Sequence, residues 1–302
     1  MKLQWLGAIV PALAGLGIDL MLVGRGVQIP IIYLRADIGS LFLITGLLIS
    51  GIAVTSLSIY KSFIHQQQEI SAQLQVQSAD ERRRFLRRLD HELKNPLTAI
   101  RAGLANLAEA PSPEARQEAF HSVEAQALRL SRLAADLRKL AELETRMVER
   151  SPVDIGHLLQ EAFVIISDHP EAEKRRFTLS IPQAPWPQPT ISGDPDLLFL
   201  AIHNLLDNAL KFTRPGDTIE VRAFEDGSTV AIEIADTGPG IPEEDLLHVW
   251  EELYRGMGAR GIPGSGLGLA LVRAVAERHN GQVNLRSRAG QGTVFTLKLP
   301  VG

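Results

Sequence analysis

The chain of 302 residues contains no cysteine, which excludes disulfide bonds and cysteine-ligated metals. Its formal net charge of −4 leaves no overall excess of basic residues, so the sequence gives no indication of a nucleic-acid partner. Charged residues are absent from Ile38 to Tyr60, and glycine and proline are absent from Lys61 to Asn95. The first absence is typical of a membrane span, and the second is typical of one long helix.

Two apolar stretches in residues 1–60 predict a hairpin of transmembrane helices, with spans at about 5–24 and 38–60. Only Lys2 precedes the first stretch and no small-residue cleavage site follows it, which favours an uncleaved span over a signal peptide. The connecting loop is too short to fold around a ligand, so any stimulus would act within or at the membrane. Asp19 is the one charged residue inside either span. We expect it to face the helices of a dimer, to be protonated near the outer surface, or to lie shallow enough to reach water.

Residues 61–81 are predicted to form a signalling helix that continues into a helical hairpin at 82–150. Ala110 to Pro113 separates the two hairpin helices, and the second runs from Glu114 to about Met147. Apolar residues recur every three or four positions on both helices, at Phe85, Leu89, Leu93, Leu97, Ile100, Leu104 and Leu107, then at Phe120, Val123, Ala127, Leu130, Ala134 and Leu137. One hairpin cannot bury both stripes, so we expect a homodimeric four-helix bundle.

A basic run precedes the middle of the first hairpin helix, at Arg82, Arg83, Arg84, Arg87 and Arg88. It indicates a solvated helix face, with contact to lipid headgroups as the alternative.

His91 lies between Asp90 and Glu92, and its position on the helix directs its side chain away from the apolar stripe. An imidazole exchanges protons near neutral pH, and a neighbouring carboxylate can orient and activate it, so His91 is a candidate nucleophile. An isolated histidine beside a glutamate is more often an ordinary surface side chain, and the downstream motifs decide between these interpretations. Pro96 is predicted to bend the helix one turn after His91.

Residues 151–302 mix helical and alternating patterns, which predict an α+β sandwich with helices on one side of a mixed sheet. The predicted helices cover residues 155–167, 196–212 and 267–279. The predicted strands cover residues 177–181, 190–193, 218–224, 229–235, 282–287 and 293–299.

Four motifs in this part have the chemistry of a nucleotide site. Asn204, Asn208 and Lys211 share one helix face, where two amides and an ammonium suit phosphate oxygens and a hydrated Mg²⁺ on Asn208. Asp236 ends a strand and can accept a hydrogen bond from an exocyclic amine, while Gly238 and Gly240 let the backbone approach a planar ligand. An ordinary polar helix face and a plain Asp-Gly turn are the respective alternatives.

The other two motifs are rich in glycine. Gly264, Gly266 and Gly268 introduce a helix at Leu267, where free N–H groups and the helix dipole favour phosphate. The preceding loop is long enough to be a lid, and it carries Arg255 and Arg260. The last motif, Gly290 to Thr293, is either part of the site or a simple hairpin turn.

In this order the motifs closely resemble those of the sensor histidine kinases of two-component systems, from about Arg82 to the C-terminus. His91 falls in the phosphoacceptor box. The segments that resemble the Asn-rich box, the two glycine boxes and the late glycine turn are Asn204–Phe212, Asp236–Gly240, Gly264–Gly268 and Gly290–Thr293. Trp250 to Arg255 resembles the aromatic box, except that Trp250 and Leu253 replace the usual phenylalanines.

The resemblance implies a Bergerat ATP-binding fold at 151–302, phosphorylation of His91 by ATP, and transfer to an aspartate of a separate response regulator. It implies a nucleotide and Mg²⁺ site at Asn204, Asn208, Lys211, Asp236, Gly238, Gly240, Arg255, Gly264, Gly266, Leu267, Gly268 and Thr293. In similar kinases a polar residue at the place of Asn95 serves regulator dephosphorylation. Cytosolic ATP would place the catalytic part in the cytoplasm, below a multi-pass anchor in the inner (plasma) membrane.

Three other functions remain compatible with the sequence. A kinase-deficient membrane scaffold or a phosphatase-dominant regulator could retain the ATP motifs. A chaperone- or topoisomerase-type ATPase would share the nucleotide fold, but it would not need His91 and Glu92 on a dimerising hairpin behind a membrane anchor.

Overall fold

A computed structural model of the chain describes residues 38–145, 147–182, 189–259 and 261–301. The first predicted span, the loop at 25–37, Asp19 and Arg260 lie outside the described residues. The chain divides into two compact units, Met1–Val76 and Gln77–Gly302.

The described part of the first unit is helical, within helix α1 (Ile38–Glu109). Of the described residues, one helix is long and apolar enough to cross a membrane, judged by length and composition, with a mean hydropathy of 1.6 in its most apolar window. This finding gives weak support to a membrane location. The hairpin of two spans and the boundaries at 60, 81 and 150 remain predictions.

In the second unit, α1 pairs with helix α2 (Pro113–Thr145) to form the helical hairpin. Ser112 precedes α2 and accepts a hydrogen bond from the N–H of Ala115 at 3.2 Å, and proline at the first helical position needs no N–H partner. The two helices approach closely at Gly103, where an added Cβ would lie 2.6 Å from a methyl group of Val123.

The predicted apolar stripe of α1 divides between two faces of the hairpin. Four members of the stripe are partly buried, at Phe85, Leu89, Ile100 and Leu107, and Pro96 and Gly103 are buried as well. Leu93, Leu97 and Leu104 remain 37%, 50% and 54% exposed. Helix α1 continues through Pro96, and the bend expected there stays a prediction. Burial of the proline ring in the hairpin offsets the lost backbone hydrogen bond.

Residues 151–301 form the predicted α/β sandwich. The helices are α3 (Ile155–Ser167), α4 (Pro195–Phe212), α5 (Glu243–Leu246) and α6 (Gly268–Arg278). The strands are β1 (Ser151–Val153), β2 (Arg176–Ser180), β3 (Ile191–Gly193), β4 (Thr218–Asp226), β5 (Thr229–Asp236), β6 (Gln282–Arg288) and β7 (Gly292–Pro300). Short 3-10 turns occur at Pro170–Ala172 and Met257–Ala259.

The main sheet has the order β2-β4-β5-β7-β6, with β2 parallel to β4 and every other pair antiparallel. Strands β1 and β3 form a separate antiparallel pair. Helices α3, α4 and α6 pack on one face of the main sheet, where Ile202 and Leu206 of α4 and Ile232 and Ile234 of β5 are fully buried. On the opposite face, Glu233 of β5 binds Arg222 at 3.0 Å.

Two buried polar groups fix the start of α4. Asp194 caps the helix by accepting the N–H groups of Asp196 and Leu197 at 3.1 and 3.2 Å. Nε2 of His279 accepts the N–H of Asp194 at 2.9 Å, while its Nδ1 lies 2.8 Å from the carbonyl oxygen of Val275. Burial lowers the pKa of His279, which keeps the ring neutral in this role. The helix that carries Asn204 and Asn208 is therefore anchored to the end of α6.

Candidate functional site

Helix α4 presents Asn204, Asn208 and Lys211 on a half-buried face, as the sequence predicted. Asn204 donates a hydrogen bond from Nδ2 to the carbonyl of Leu200 at 2.8 Å, which leaves its Oδ1 beside Gly268. A Cβ at Gly268 would lie 2.9 Å from that oxygen, so the start of α6 must be glycine to stay this close. Lys211 binds Asp207 at 2.5 Å. The Asn204 amide oxygen thus lies at the N-terminus of α6.

Asp236 ends β5 opposite Thr293 of β7, and both residues are buried. Its Oδ1 accepts the N–H of Gly238 at 2.9 Å. Burial is the largest influence on this carboxyl group and raises its pKa to about 6. Gly238 lies against the end of α4, where an added Cβ would be 2.9 Å from the carbonyl oxygen of Phe212. The strand end and the Asn-bearing helix therefore adjoin.

The turn after Asp236 depends on Gly240, whose φ of +69° is strained for any other residue type. An added Cβ there would lie 2.1 Å from the carbonyl oxygen of Arg288. Thr293 Oγ1 is 2.9 Å from the hydroxyl of Ser287 on the neighbouring strand. The turn and the late glycine motif are consequently held together at one end of the sheet.

The loop before α6 is ordered by hydroxyl and backbone contacts. Ser265 accepts the N–H of Leu267 at 3.2 Å and donates to Asp136 of α2 at 2.7 Å. Gly266 has a φ of +74° and lies against the backbone of Leu253 and Tyr254. Gly266, at the end of the lid, is therefore in direct contact with Leu253 and Tyr254 at its beginning.

The Arg255 side chain binds backbone carbonyl groups of the lid. Its guanidinium donates to the carbonyl oxygens of Ala259 and Gly264 at 2.7 and 3.1 Å, and also to that of Ile262. The expected role of Arg255 in nucleotide binding requires the guanidinium to exchange some of these carbonyls for phosphate.

The two unusual residues of the aromatic box are both packed. Trp250 meets Phe295 of β7 edge to face, with 6.1 Å between the ring centroids. Leu253 is 4% exposed and has a φ of +58°, a conformation rarely adopted by a bulky side chain. The burial of Leu253 offsets this backbone strain.

Leu253 and Leu267 are buried against the hairpin, where they form a cluster with Leu133 of α2. Partly buried side chains complete the cluster at Phe85, Leu89, Leu137 and Leu140.

Arg88 reinforces this contact from α1. It bonds the carboxylate of Glu251, donates to the carbonyl of Glu252 at 3.2 Å, and lies 5.3 Å from the centre of the Tyr254 ring. The lid and the hairpin are therefore joined by apolar, ionic and cation–π contacts.

The prediction of a solvated basic run is wrong for Arg88 and holds for the exposed Arg82, Arg83, Arg84 and Arg87. Sequence reasoning missed this role because Arg88 and Glu251 are 163 residues apart. The one local signal was that Arg88 lies about one helical turn before His91.

His91 and Asn95 are both exposed on α1. Glu92, which we expected beside the imidazole, binds Arg129 of α2 at 2.7 Å. Asp90, on the other side of His91, binds Lys94 at 2.6 Å. The structure thus assembles the predicted nucleotide residues at one edge of the sandwich, and it places the predicted phosphoacceptor group on the hairpin that the lid contacts.

Two known families match the two parts of this arrangement. Residues 193–302 match the histidine kinase-, DNA gyrase B-, and HSP90-like ATPases, and residues 81–146 match the His Kinase A (phospho-acceptor) domain. The chain belongs to the sensor histidine kinases. The chain is 32% identical over 226 residues to sensor histidine kinase YclK of Bacillus subtilis, covering 73% of this chain and 47% of that protein. It is 35% identical over 212 residues to sensor protein CreC of Escherichia coli, covering 70% of this chain and 44% of that protein.

Among solved structures, the chain resembles full-length ShkA in complex with AMPPNP, with 28% identity and a TM-score of 0.52 over 70% of this chain and 44% of that one. The chain spans about half the length of the curated relatives it matches. The histidine kinase ThkA in complex with the response regulator protein TrrA has a TM-score of 0.59, covering 72% of this chain and 61% of that chain. At 18% identity, this similarity is one of fold alone.

Proposed function

We propose that this kinase phosphorylates its own His91 from ATP and passes the phosphoryl group to an aspartate of a separate response regulator. The observation that carries the proposal is the contact between the lid of the ATPase domain and the turn of α1 just before His91, through Arg88 and Leu89. An exposed imidazole on that helix is accessible both to a nucleotide and to a partner protein. The match to the His Kinase A (phospho-acceptor) domain supports a regulator as the partner.

In the first step, one ring nitrogen of His91 attacks the γ-phosphorus of ATP. A P–N bond forms as the bond to the β–γ bridging oxygen breaks, and ADP leaves. The other ring nitrogen keeps its proton, and Glu92 accepts a hydrogen bond from it. In the second step, an aspartate oxygen of the regulator attacks the phosphorus and the P–N bond breaks. Phosphoryl transfer of this kind depends mainly on positioning and on neutralisation of charge.

The residues of the ATPase domain fit a nucleotide. Asp236 would accept the exocyclic amine of adenine, and the start of α6 after Gly264, Gly266 and Gly268 would receive phosphate through free N–H groups. The half-buried oxygens of Asn204 and Asn208 suit a hydrated Mg²⁺, with Asn208 as its protein ligand. When bound, the ion would neutralise phosphate charge. The match to the ATPase family and the AMPPNP complex of ShkA support this part of the proposal.

We also propose that the kinase is a homodimer anchored by two membrane spans, with its catalytic part in the cytoplasm. The exposed face of Leu93, Leu97 and Leu104 supports dimerisation, because three leucines in water on one helix face favour burial against a second hairpin. The apolar segment of α1 supports the anchor.

The test uses the purified full-length kinase and ATP labelled on the γ-phosphate. The wild type should acquire label that is labile in acid and stable in base, as expected for phosphohistidine. The variant His91→Gln should incorporate none and should still bind nucleotide, because His91 lies on α1 outside the sandwich. Labelling of His91→Gln would show that another residue is the acceptor, and an unlabelled wild type would favour the kinase-deficient scaffold.

A second activity, dephosphorylation of the regulator, is favoured by the position of Asn95. Its exposed amide lies one turn after His91 on the same face of α1, where it could orient a water for attack on an aspartyl phosphate. The variant Asn95→Ala should keep its autophosphorylation rate and dephosphorylate a phosphorylated regulator about 10-fold more slowly. An unchanged dephosphorylation rate would remove Asn95 from this role.

A further inference from the structure

His91 lies between two carboxylates, and each is held by a different cation. Asp90 binds Lys94 at 2.6 Å, and Glu92 binds Arg129 at 2.7 Å. Opposite charge beside a catalytic carboxylate fixes its position and reduces the number of rotamers it samples. The two pairs differ in their surroundings and in the helices that they join.

The pair of Asp90 and Lys94 is local and solvated. Both residues belong to α1 at an i, i+4 spacing, and their side chains are 54% and 69% exposed. Such a pair moves with its helix as a unit and is screened by water and salt.

The pair of Glu92 and Arg129 crosses between the two hairpin helices. The Glu92 side chain is 19% exposed and that of Arg129 is 40% exposed, so water screens this pair less. Arg129 holds Oε2 of the carboxylate. In the described part of the chain, Oε1 of Glu92 has no hydrogen bond of its own. One oxygen is therefore fixed while the other is available to an imidazole N–H.

We propose that Arg129 is a positioning residue for the reaction at His91, acting through Glu92. This inference rests on the proposed kinase function. The guanidinium orders the carboxylate before the imidazole turns towards it, so the entropy of that alignment is already lost when the reaction begins. Glu92 can then accept the ring N–H without a search among rotamers.

The position of Arg129 on α2 also makes His91 sensitive to the packing of the hairpin. A hydrogen bond of 2.7 Å is lost when its partners separate by about 1 Å. A slide or rotation of α2 against α1 would therefore release Glu92 without moving His91 along its own helix. The relative placement of the two helices then sets the reactivity of the acceptor histidine.

The experiment measures initial rates of His91 phosphorylation by the full-length kinase over a range of ATP concentrations. We expect Arg129→Gln to lower the maximal rate about 10-fold and to leave the half-saturating ATP concentration unchanged, since only part of the contribution of a positioned acid–base group is lost. Arg129→Lys, which keeps the charge, should recover part of the rate. In the background of Glu92→Gln, the same Arg129→Gln change should have no further effect.

Two matched variants complete the design. Arg132→Gln removes an exposed cation one turn further along α2, and Lys94→Gln removes the partner of the other flanking carboxylate. Both should retain the wild-type rate.

If Arg129→Gln lowers the phosphorylation rate by the same factor in the Glu92→Gln background as in the wild type, the proposal is overturned. An unchanged or increased rate in Arg129→Gln alone would overturn it as well. Loss of rate in Arg129→Lys equal to that in Arg129→Gln would also count against it. A wild type that acquires no label would instead refute the proposed function, which keeps the two failures distinct.

Discussion

In the proposed nucleotide site, Asp236 is expected to contribute both to binding and to the pH dependence of binding. Its burial raises its pKa to about 6, so it titrates close to physiological pH. Because the folded state holds the proton more tightly than the unfolded chain, the contribution of Asp236 to the free energy of unfolding rises as pH falls through about 6. Nucleotide binding should change in the opposite direction, because an ionised carboxylate is the stronger acceptor for an amine.

We therefore expect the affinity for ADP to fall about fourfold between about pH 7.5 and about pH 5.5, from the ionised fraction of a group with a pKa of about 6. Calorimetric titration of the wild type and of Asp236→Asn, at matched pH values, measures this change. The variant should bind more weakly and should lack this part of the pH dependence. If both proteins lose affinity in parallel, titration of the ligand or of another group is responsible.

At the scale of elements, the lid is the part of the site whose packing the sequence could not specify. Its aromatic box differs from the family pattern at Trp250 and Leu253, and the structure shows both side chains packed, one on the sheet and the other on the hairpin. Arg88 joins the same contact through Glu251, Glu252 and Tyr254. The lid is thus held by the helices as well as by its own loop.

Arg88→Gln should loosen this contact, since it removes an ion pair between side chains that are 27% and 30% exposed, together with the cation–π contact to Tyr254. Amide hydrogen exchange should become about 3- to 10-fold faster at residues 251–254, corresponding to a loss of roughly 1 kcal/mol of local stability. Arg87→Gln is the matched control, because Arg87 is the exposed neighbour and its guanidinium bonds only within its own helix among the described residues. Equal exchange in the two variants would show that the leucine cluster alone holds the lid.

Most elements of the sandwich were predictable, because alternation in the strands and spacing in helix α4 reflect burial on one face. Strand β1 and helix α5 were not, because elements of three or four residues show little periodicity, although the equally short β3 was predicted at 190–193. The nucleotide motifs were recognisable locally, since glycines and Asp236 act through adjoining backbone. Arg88 and Arg129 were not, because each acts through a partner on another element that only the fold brings close.

At the scale of the whole molecule, the exposed leucines of α1 predict how two copies associate. Leu97→Glu would place a charge on the face that also carries Leu93 and Leu104, and burying that charge in a dimer would cost several kcal/mol. We expect sedimentation to show at least about a 10-fold weaker dimer. Leu128→Glu is a suitable control, since Leu128 is similarly exposed at 51% but lies beside, and not in, the apolar spacing of α2. Dimers of equal strength would move the interface elsewhere.

The position of β7 in the sheet has a consequence for biosynthesis. It is the last strand described, yet it lies between β5 and β6, and Asp236 faces Thr293 across that pairing. While the ribosome is still translating these residues, β5 has an open edge and Asp236 lacks its neighbour Thr293. A nascent chain therefore exposes an apolar strand until synthesis reaches residue 300. During this interval, chaperones that recognise exposed strand edges can bind it. The proposed nucleotide site would therefore be complete only when translation of β7 is finished.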